Sequence, residues 1–358
     1  MTLRKRTVLL TGASGVLGRA LIDELACDFD IVCLQHRTRV ADPRVAEVTA
    51  SLASPMLGLP RLEYARLASR VDVVLHAAAN TSWKASPDQI RATNVGGTTT
   101  MLAFARRADA PLFYVSTAYV ANPPNPEADR YAGARAYIGS KIEAEQLTRD
   151  SDVPTVILRP SVVIGDSRDG RMAGFQGLHR FAGLVARGRV PMVACDAQAL
   201  VDTVPQDVVA TAVGRLVRQG ARGGEYWLTA GASAMTAGDI VAASLAIGRH
   251  AGLEPHAPRF IAAEAVDRLI VPLLHDAITP QLRRMFSELL EMTWLFQMPA
   301  ALPTSMPELD LAEPVSRTRL RAAFDRSLKY WAEQKGLLPA SPAGNVEDDS
   351  VDQRELAS

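Results

Sequence analysis

Three side chains in the middle of the sequence could together move a proton to or from a carbonyl oxygen. Tyr137 and Lys141 stand four residues apart in a helical pattern, so both should lie on one face of that helix. Thr117 follows a buried apolar run and should lie at the end of a strand. A tyrosine with a pKa of about 10 is a poor acid–base catalyst at neutral pH, and a nearby ammonium lowers that pKa because it stabilises the phenolate. The threonine hydroxyl would help to hold a carbonyl oxygen on which negative charge develops.

A glycine-rich turn near the N-terminus is the second chemical feature. The run Thr7–Leu10 predicts a buried strand, and an apolar helical pattern begins at Leu17. Between them the glycines follow the spacing G-x-x-G-x-x-G, at Gly12, Gly15 and Gly18. Unpaired N–H groups and the dipole at a helix N-terminus attract a diphosphate, and glycine lets the ligand approach the backbone. Three glycines alone are a weak signal, but a strand before them and a helix after them predict a dinucleotide site.

The end of the second predicted strand indicates which dinucleotide binds. In NAD-binding folds an acidic residue near this position holds the ribose 2′-hydroxyl. Here the strand Asp30–Gln35 is followed by His36, Arg37, Thr38 and Arg39, which include no acid. Two arginines suit a 2′-phosphate, so we expect NADPH as the cofactor. The alternative for this segment is a solvated loop of charges.

Strands and helices alternate over the first part of the chain, to about residue 165. This alternation predicts an α/β fold of the Rossmann type, a doubly wound parallel sheet with right-handed crossovers. We assign residues 1–165 to this NADP-binding domain, with contributions that return around 200–230. The predicted strands are Thr7–Leu10, Asp30–Gln35, Glu47–Ala50, Val71–His76, Pro111–Ser116 and Thr155–Leu158.

Beyond Gly165 the alternation loosens, and residues 166–340 predict a smaller, mostly helical substrate domain. Helices are expected near 173–187, 206–219, 237–251 and 316–334, with a strand at 225–229. The segment 260–297 is helical and unusually apolar in pattern; core packing is our first interpretation and a substrate-facing lid the alternative. The tail 341–358 carries five acidic residues and one arginine, so we expect it to be disordered.

Composition excludes several classes of protein. The 358 residues carry 39 basic and 39 acidic side chains, a balance that does not favour nucleic acid or an anionic membrane as the main partner. The three cysteines are scattered without metal-ligand spacing, so we expect reduced thiols and no metal site. No apolar run reaches the roughly 18 residues needed to span a bilayer, and we therefore expect a cytoplasmic protein without a membrane span.

Eight segments carry a resemblance to a known family: TGASGVLG (11–18), PMLGLP (55–60), DVVLHAAANTSW (72–83), NVGGT (94–98), YVSTAYV (114–120), YIGSK (137–141), LRPSVVIGDSRDG (158–170) and VDTVPQDVV (201–209). With them the sequence resembles the extended short-chain dehydrogenase/reductases, within which it is most similar to the thioester reductase and fatty acyl-CoA reductase branch. PMLGLP and GDSRDG indicate this branch rather than the sugar epimerases. The resemblance covers residues 7 to 230.

The resemblance implies roles for individual residues. Thr117 corresponds to the catalytic hydroxyl, Tyr137 to the acid, and Lys141 to the residue that tunes the tyrosine and binds the nicotinamide ribose. Asn94 would fix the backbone or a water near the lysine, and Ser51 stands where the family usually has an aspartate against the adenine. The predicted cofactor-binding residues are Gly12, Ser14, Gly15, Val16, Leu17, Gly18, Arg37, Arg39, Ser51, Leu52, Ala77, Ala78, Ala79, Asn94, Tyr137, Lys141, Pro160, Ser161, Val162 and Val163.

The resemblance also implies a reaction, the NADPH-dependent reduction of an acyl thioester to an aldehyde, with further reduction to the alcohol left open. No adenylation or carrier domain precedes residue 1, so we expect the acyl group to arrive on a separate carrier protein or on coenzyme A. One alternative is a reductase of a free ketone or aldehyde, or of a hydroxysteroid-like substrate. A non-catalytic NADP-binding protein is the other, and the intact set of Thr117, Tyr137 and Lys141 argues against it.

The segment after the sixth predicted strand is rich in arginine. It contains five arginines and two aspartates: Arg168, Arg171, Arg180, Arg187, Arg189, Asp166 and Asp169. Carrier proteins are typically acidic and coenzyme A is anionic, so this segment could form a basic rim that steers either one. The alternative is that the arginines are solvated or form internal ion pairs.

Overall fold

The structure described is a computed structural model of the chain. The residues that it describes are 4–123, 131–175, 177–266, 268, 290, 294, 298 and 300–340. The predicted acidic tail and most of the apolar segment 260–297 lie outside these residues. The predictions for the tail and for a lid or core at 260–297 therefore stay predictions.

Thirteen strands belong to the described part of the chain. In chain order they are β1 (Thr7–Thr11), β2 (Asp30–Gln35), β3 (Val45–Thr49), β4 (Val73–His76), β5 (Leu112–Val115), β6 (Thr155–Pro160), β7 (Val162–Ile164), β8 (Met192–Val193), β9 (Leu200–Val201), β10 (Thr203–Pro205), β11 (Gly224–Leu228), β12 (Met235–Thr236) and β13 (Arg259–Phe260). Seven of them form one parallel sheet, in the order β11-β6-β5-β4-β1-β2-β3.

Helices connect these strands. In the described part of the chain they are α1 (Val16–Leu25), α2 (Arg61–Ala68), α3 (Pro87–Arg91), α4 (Gly97–Ala108), α5 (Ala132–Arg149), α6 (Gly177–Ala186), α7 (Gln206–Arg218), α8 (Ala237–His250), α9 (Ala263–Ala265) and α10 (Arg317–Gln334). A π-helical turn, Ala92–Gly96, joins α3 to α4. The helical segment before this turn starts at Pro87, where Ser86 forms a capping box with Gln89.

The central strands β1, β4 and β5 are buried along their whole length, which explains why they are mainly apolar. Successive β1 side chains alternate between the faces: Val8 and Leu10 pack in one core, and Leu9 packs in the other. The first core includes residues of α1 and α7, and the second includes residues of α2, α4 and α5. Helices on both faces of a parallel sheet are the predicted doubly wound α/β fold.

The chain reverses its direction of travel across the sheet next to β1. From β1 it proceeds outward through β2 and β3, and it then returns to place β4, β5 and β6 on the other side of β1. In open parallel sheets a crevice forms at such a reversal, at the carboxyl ends of the strands. The glycine-rich turn after β1 and the Ala77–Asn80 segment after β4 are thereby brought side by side.

Among the elements after residue 165, α7 and β11 pack with the parallel sheet, whereas α6, α8 and α10 form a second layer. Helices α6, α8 and α10 share a core that includes Phe181, Ile240 and Phe324. The predicted helices in this part correspond to α6, α7, α8 and α10. The short pairs β7–β10, β9–β12 and β8–β13 were not predicted, because strands of two or three residues carry no periodic pattern. The domain boundary at residue 165 stays a prediction.

The GDSRDG segment connects β7 to this second layer. A Cβ on Gly170, whose φ is +75°, would lie 2.2 Å from the carbonyl oxygen of Arg326 on α10. Ser167 donates to Asp207 at the start of α7 through both its backbone N–H (2.8 Å) and its hydroxyl (2.6 Å). This loop therefore holds the start of α7 and α10 together just before the chain enters α6.

Candidate functional site

Glycine is required at two positions, one in the turn between β1 and α1 and one in the first turn of α1. Gly12 has a φ of +75°, and a Cβ there would lie 2.7 Å from the carbonyl carbon of Ala77. A Cβ on Gly18 would lie 2.2 Å from the carbonyl oxygen of Gly12. The N-cap residue of α1 is Gly15, and no side chain caps this helix, so its first amides are open to an anion.

A buried histidine ties this turn to the neighbouring strand. His76 Nδ1 lies 2.7 Å from the Thr11 hydroxyl, which also accepts a hydrogen bond from the N–H of Ala78 at 3.1 Å. Burial, together with the charge of Lys141, lowers the pKa of His76 to about 3, so the ring is neutral at pH 7. Sequence reasoning missed this link, although the histidine directly precedes the predicted Ala77–Ala79 contacts.

A hollow of about 230 Å³ lies beyond the turn, at the carboxyl ends of β1 and β2. Among the predicted cofactor residues, those that line it are Gly12, Ser14, Arg37, Leu52 and Ala78. The side chain of Arg39 is 76% exposed and its guanidinium lies 3.9 Å from Glu47, so the two predicted arginines have different surroundings. Ser51 does not line the hollow, and its N–H donates to the carbonyl of Leu57 instead.

A larger cleft of about 770 Å³ lies on the other side of the turn. The predicted residues that line it are Gly12, Ser14, Gly15, Val16, Leu17, Gly18, Ala77, Ala79, Thr117, Tyr137, Ser161 and Val162. Pro160 and Val163 are not among the described lining residues. Pro160 ends β6, and Val163 is buried in the core below, since neighbouring strand residues face opposite ways.

Thr117 and Tyr137 are placed in the cleft by different elements. Thr117 follows β5 in an extended conformation, and Tyr137 lies on α5. Burial raises the pKa of Tyr137 to about 12, and a hydrogen bond with the Thr117 hydroxyl partly offsets that rise. The phenol is therefore protonated at neutral pH, which is the form that a proton donor needs.

Lys141 is buried behind Tyr137 and does not reach the phenol. Its ammonium donates to the carbonyl oxygen of Val115 at 2.8 Å and lies 5.0 Å from the ring centre of Tyr114. Burial lowers the pKa of Lys141 to about 7, with Glu145 acting in the opposite direction. Burial and the Thr117 hydroxyl are the causes that act on the pKa of Tyr137 here, and the effect of Lys141 on that pKa stays a prediction.

Asn94 does not line the cleft itself but hydrogen-bonds to two segments that flank it. It lies in the π-helical turn, an irregularity that is frequent at functional sites. Its Oδ1 accepts from the N–H of Asn80 at 2.7 Å, and its Nδ2 donates to the Ser140 hydroxyl at 2.8 Å. Ser140 in turn donates to the carbonyl of Tyr137 at 2.6 Å. Asn94 thus fixes the backbone on both sides, and Ser140, within the YIGSK segment, is a link that sequence reasoning missed.

Several cleft residues were not predicted as site residues. They are Thr81, Ser82, Trp83, Lys84 and Tyr119 on the sheet side and Ala173, Gly174, Phe175, Gly177 and Leu178 around the start of α6. The first group lies in the DVVLHAAANTSW and YVSTAYV segments or directly beside them, so their position after a strand could have indicated them. The second group became cleft residues only through the packing of α6.

Four of the five arginines of the predicted basic rim have different surroundings. Arg168 pairs with Asp166 at 2.7 Å and Arg171 lies 3.5 Å from Asp169. Arg187 donates to the carbonyl of Gly183 at 3.0 Å and lies 5.2 Å from the Trp331 ring centre. Arg180 differs from these three because it lines the larger cleft. The ion pairs support the alternative for Arg168 and Arg171, and the steering role of the segment stays a prediction.

The two hollows suit a dinucleotide that crosses the glycine-rich turn. They share Gly12 and Ser14, and the uncapped N-terminus of α1 lies between them with donors for a diphosphate. Arg37 lines the smaller hollow and carries a guanidinium that could pair with a 2′-phosphate. Among the described residues, no cluster of three potential ligands could hold a metal ion, and no helix is both long and apolar enough to cross a bilayer.

A family model described as male sterility protein (NAD_binding_4) matches residues 32–213, just over half of the chain. Among similar proteins, the hybrid PKS-NRPS synthetase xenE of Xenoacremonium sinensis is 30% identical over 186 residues, in an alignment that covers 45% of this chain and 5% of that protein. The highly reducing polyketide synthase calA of Penicillium decumbens is 30% identical over 199 residues, covering 48% and 7%. This chain thus spans only a small fraction of the length of these relatives.

Solved structures share the fold over nearly the whole chain. The terminal R domain from the myxalamid PKS-NRPS biosynthetic pathway is 25% identical, with a TM-score of 0.71 and coverage of 96% of this chain and 94% of that one. The UDP-glucose 4-epimerase of Thermotoga maritima is 16% identical, with a TM-score of 0.62 and coverage of 92% and 99%. The second likeness shows the fold alone.

Proposed function

This chain belongs to the male sterility protein family within the extended short-chain dehydrogenase/reductases, and we propose from this that it reduces a carrier-bound acyl thioester with NADPH. Members of this family are NAD(P)-dependent oxidoreductases, and so is this chain. The product of the first reduction is the aldehyde. Thr117, Tyr137 and Lys141 are the residues to which we assign the chemistry.

The observation that carries this proposal is the shared cleft. Thr117 and Tyr137 line the same space of about 770 Å³ as the glycine-rich turn. A carbonyl that enters this cleft can therefore meet a hydroxyl and a protonated phenol beside a bound cofactor. Such donors are most effective in a site where they are already oriented before charge develops on the oxygen.

Bound NADPH would supply the hydride. Thr117 and Tyr137 would hold the carbonyl oxygen as it becomes an oxyanion, and Tyr137 would donate its proton to give a hemithioacetal. Breaking the C–S bond then releases the aldehyde, and the hydroxyl proton passes to the departing sulfur to give the thiol. The phenolate of Tyr137 recovers a proton from solvent, so one thioester, one NADPH and one proton yield one aldehyde, one thiol and NADP⁺.

Relatives favour a carrier protein over coenzyme A as the source of the thioester. The similar structure at 25% identity is a terminal R domain of a PKS-NRPS pathway, and the similar curated proteins are PKS and PKS-NRPS synthetases. In such assemblies the acyl chain is carried as a thioester. We extend this property to the substrate of the present chain as part of the proposal.

Thiol release measured together with NADPH oxidation tests the reaction. We expect S-octanoyl phosphopantetheine to give free thiol in a fixed ratio to NADP⁺, because C–S cleavage is part of the reduction. One NADPH per thiol indicates that the aldehyde is the product, and two indicate the alcohol. NADPH oxidation by octanal or octan-2-one, without reaction of any thioester, would instead support the reductase of free carbonyl compounds.

The choice of NADPH over NADH depends on Arg37. We expect NADPH to bind at least about tenfold more tightly than NADH, a difference of about 1.4 kcal/mol, because Arg37 lines the smaller hollow and can pair with the 2′-phosphate. Arg37→Asp should narrow or invert this preference, since a carboxylate repels the phosphate and can accept from the 2′-hydroxyl. Dissociation constants measured by quenching of protein fluorescence would show the change.

Arg39→Asp is the matched control for this substitution. It makes the same charge change two residues away, at a side chain that faces Glu47 rather than the hollow. We expect it to change the NADPH preference much less than Arg37→Asp does. Equal affinities for the two cofactors in the parent protein would contradict the NADPH assignment.

A further inference from the structure

An acidic side chain lies one helical turn after Lys141, on the same side of α5. Lys141 and Glu145 stand four residues apart, and both are buried. Burying an ionised group is costly unless an opposite charge compensates it. The chemistry assigned above uses the lysine but gives this second buried charge no role.

Two arginines hold the carboxylate of Glu145 in one orientation. Arg159 on β6 donates to both of its oxygens, from Nε at 2.9 Å and from a terminal nitrogen at 2.7 Å. Arg149 donates to one of these oxygens at 2.8 Å. Burial opposes the ionisation of Glu145, but the hydrogen bond with Arg159 acts against it, and the pKa of the carboxyl is lowered. Glu145 is therefore a fixed and ionised group.

This ion-pair cluster has a buried inner part and an exposed outer part. Glu225 on β11 accepts from Arg159 at 2.6 Å and from Arg149 at 2.7 Å. The side chains of Arg149 and Glu225 are 39% and 40% exposed, so water screens these outer charges. Lys141 and Arg159 are both buried cations. Glu225 supplies Arg159 with a second carboxylate, whereas Glu145 is the acid whose charge acts on Lys141.

The other titratable groups around Lys141 are neutral at pH 7. Burial and the ammonium lower the pKa of His76 on β4 to about 3. Burial raises the pKa of Tyr114 on β5 and the pKa of Tyr137 on α5, so both phenols keep their protons. A backbone carbonyl accepts the hydrogen bond of the ammonium but carries no net charge. Among the described groups around Lys141, the negative charge is therefore that of Glu145.

We propose that Glu145, held by Arg159, is a positioning residue for the reduction, whose carboxylate is the counter-charge that keeps Lys141 cationic behind Tyr137. This inference rests on the proposed function, in which Lys141 binds the nicotinamide ribose. Glu145 is not among the described residues of the cleft wall, so it acts through the lysine. Without the carboxylate, burial acts on the ammonium unopposed, and Lys141 should lose its proton at a lower pH.

The pH profile of kcat/KM for NADPH, with S-octanoyl phosphopantetheine as the substrate, separates this role from a merely structural one. In Glu145→Gln we expect the decline with rising pH to begin about one pH unit lower than in the parent protein. At pH 8 the variant should therefore be about tenfold less active than the parent, and at pH 5.5 within about twofold of it. NADPH dissociation constants measured by fluorescence should follow the same shift.

Two controls keep the parent profile if the proposal is right. Glu145→Asp retains the negative charge on α5. Glu225→Gln makes the same change as Glu145→Gln, at a carboxylate that contacts the same two arginines in the outer part of the cluster. It removes ion pairs without removing the counter-charge of Lys141.

A second measurement depends neither on turnover nor on NADPH. Glu145→Gln is made in the parent protein and in Lys141→Met, and the melting temperatures are compared at pH 6, where the lysine of the parent is charged. We expect the loss of melting temperature in the Lys141→Met background to be about half of that in the parent or less, because the cation that needs the carboxylate is absent. If Glu145→Gln alone does not fold, the double variant should still fold for the same reason.

Three results would overturn the proposal. A folded Glu145→Gln variant with the parent pH profile would show that its carboxylate is not the counter-charge. Equal shifts in Glu145→Gln and in either control would assign the effect to the packing of the cluster. Equal losses of melting temperature with and without Lys141, or a double variant that stays unfolded, would show that the two charges are not coupled. If the parent releases no thiol from S-octanoyl phosphopantetheine, the proposed function fails, and the melting temperatures still decide on the charge pair.

Discussion

Tyr137→Phe is expected to lower kcat for thioester reduction by about 10²- to 10⁴-fold, the range typical for loss of a positioned proton donor. The substitution removes one hydroxyl from the cleft and leaves the ring in place on α5. NADPH affinity should change little, because we assign the phenol to the substrate oxygen rather than to the phosphates of the cofactor. Single-turnover NADPH oxidation would measure the chemical step, and fluorescence titration the affinity.

Tyr114→Phe is the matched control for this experiment. Tyr114 is buried on β5 close to Lys141, but it does not line the cleft, and phenylalanine keeps the ring that the ammonium faces. We expect its kcat to stay within a few-fold of the parent value. Near-normal turnover in Tyr137→Phe would show that another group donates the proton.

Lys141→Met should damage both catalysis and NADPH binding. We expect kcat to fall by about 10²-fold or more, in the range of lost acid–base assistance, and NADPH affinity to fall about tenfold or more. Lys141 is the residue to which we assign the nicotinamide ribose, and methionine fills a similar buried volume without a charge. The measurements are single-turnover rates and NADPH dissociation constants, with the exposed Lys329→Met on α10 as the control.

The pH dependence gives a second readout for Lys141. Burial holds its pKa at about 7, so the ammonium is present below pH 7 and is lost as the pH rises through that value. The pH profile of kcat/KM reports groups of the free enzyme, so kcat/KM for NADPH in the parent protein should decline above about pH 7. Lys141→Met should lack this decline, and a decline that survives in the variant would assign the titration to another group.

Local features of the site could be predicted because they depend on residues close in sequence. The spacing of Tyr137 and Lys141 places both on one helix, and the position of Gly12 between a strand and a helix predicts the turn that the structure contains. The alternation of apolar strands and amphipathic helices likewise predicts the doubly wound sheet. Each of these patterns is set by the backbone period of a single element.

Side-chain partners from distant segments could not be predicted in the same way. The sequence places Lys141 next to Tyr137, yet its ammonium bonds to the carbonyl of Val115 on β5. The sequence gives no reason to distinguish Arg37 from Arg39, since both follow the same strand. In the structure Arg37 lines the smaller hollow, whereas Arg39 lies near Glu47. These contacts depend on how strands and helices pack, which no local period specifies.

The arginines after β7 show most clearly the difference between what the sequence and what the tertiary structure decide. The sequence alone determined that this segment is basic and that it follows the catalytic part of the sheet. Only the tertiary structure decided that Arg168 and Arg171 face their own aspartates, while Arg180 turns into a cleft that it shares with Lys84. The physical reason is that composition fixes how much charge a segment carries, whereas the packing of α6 against the sheet edge fixes where each charge points.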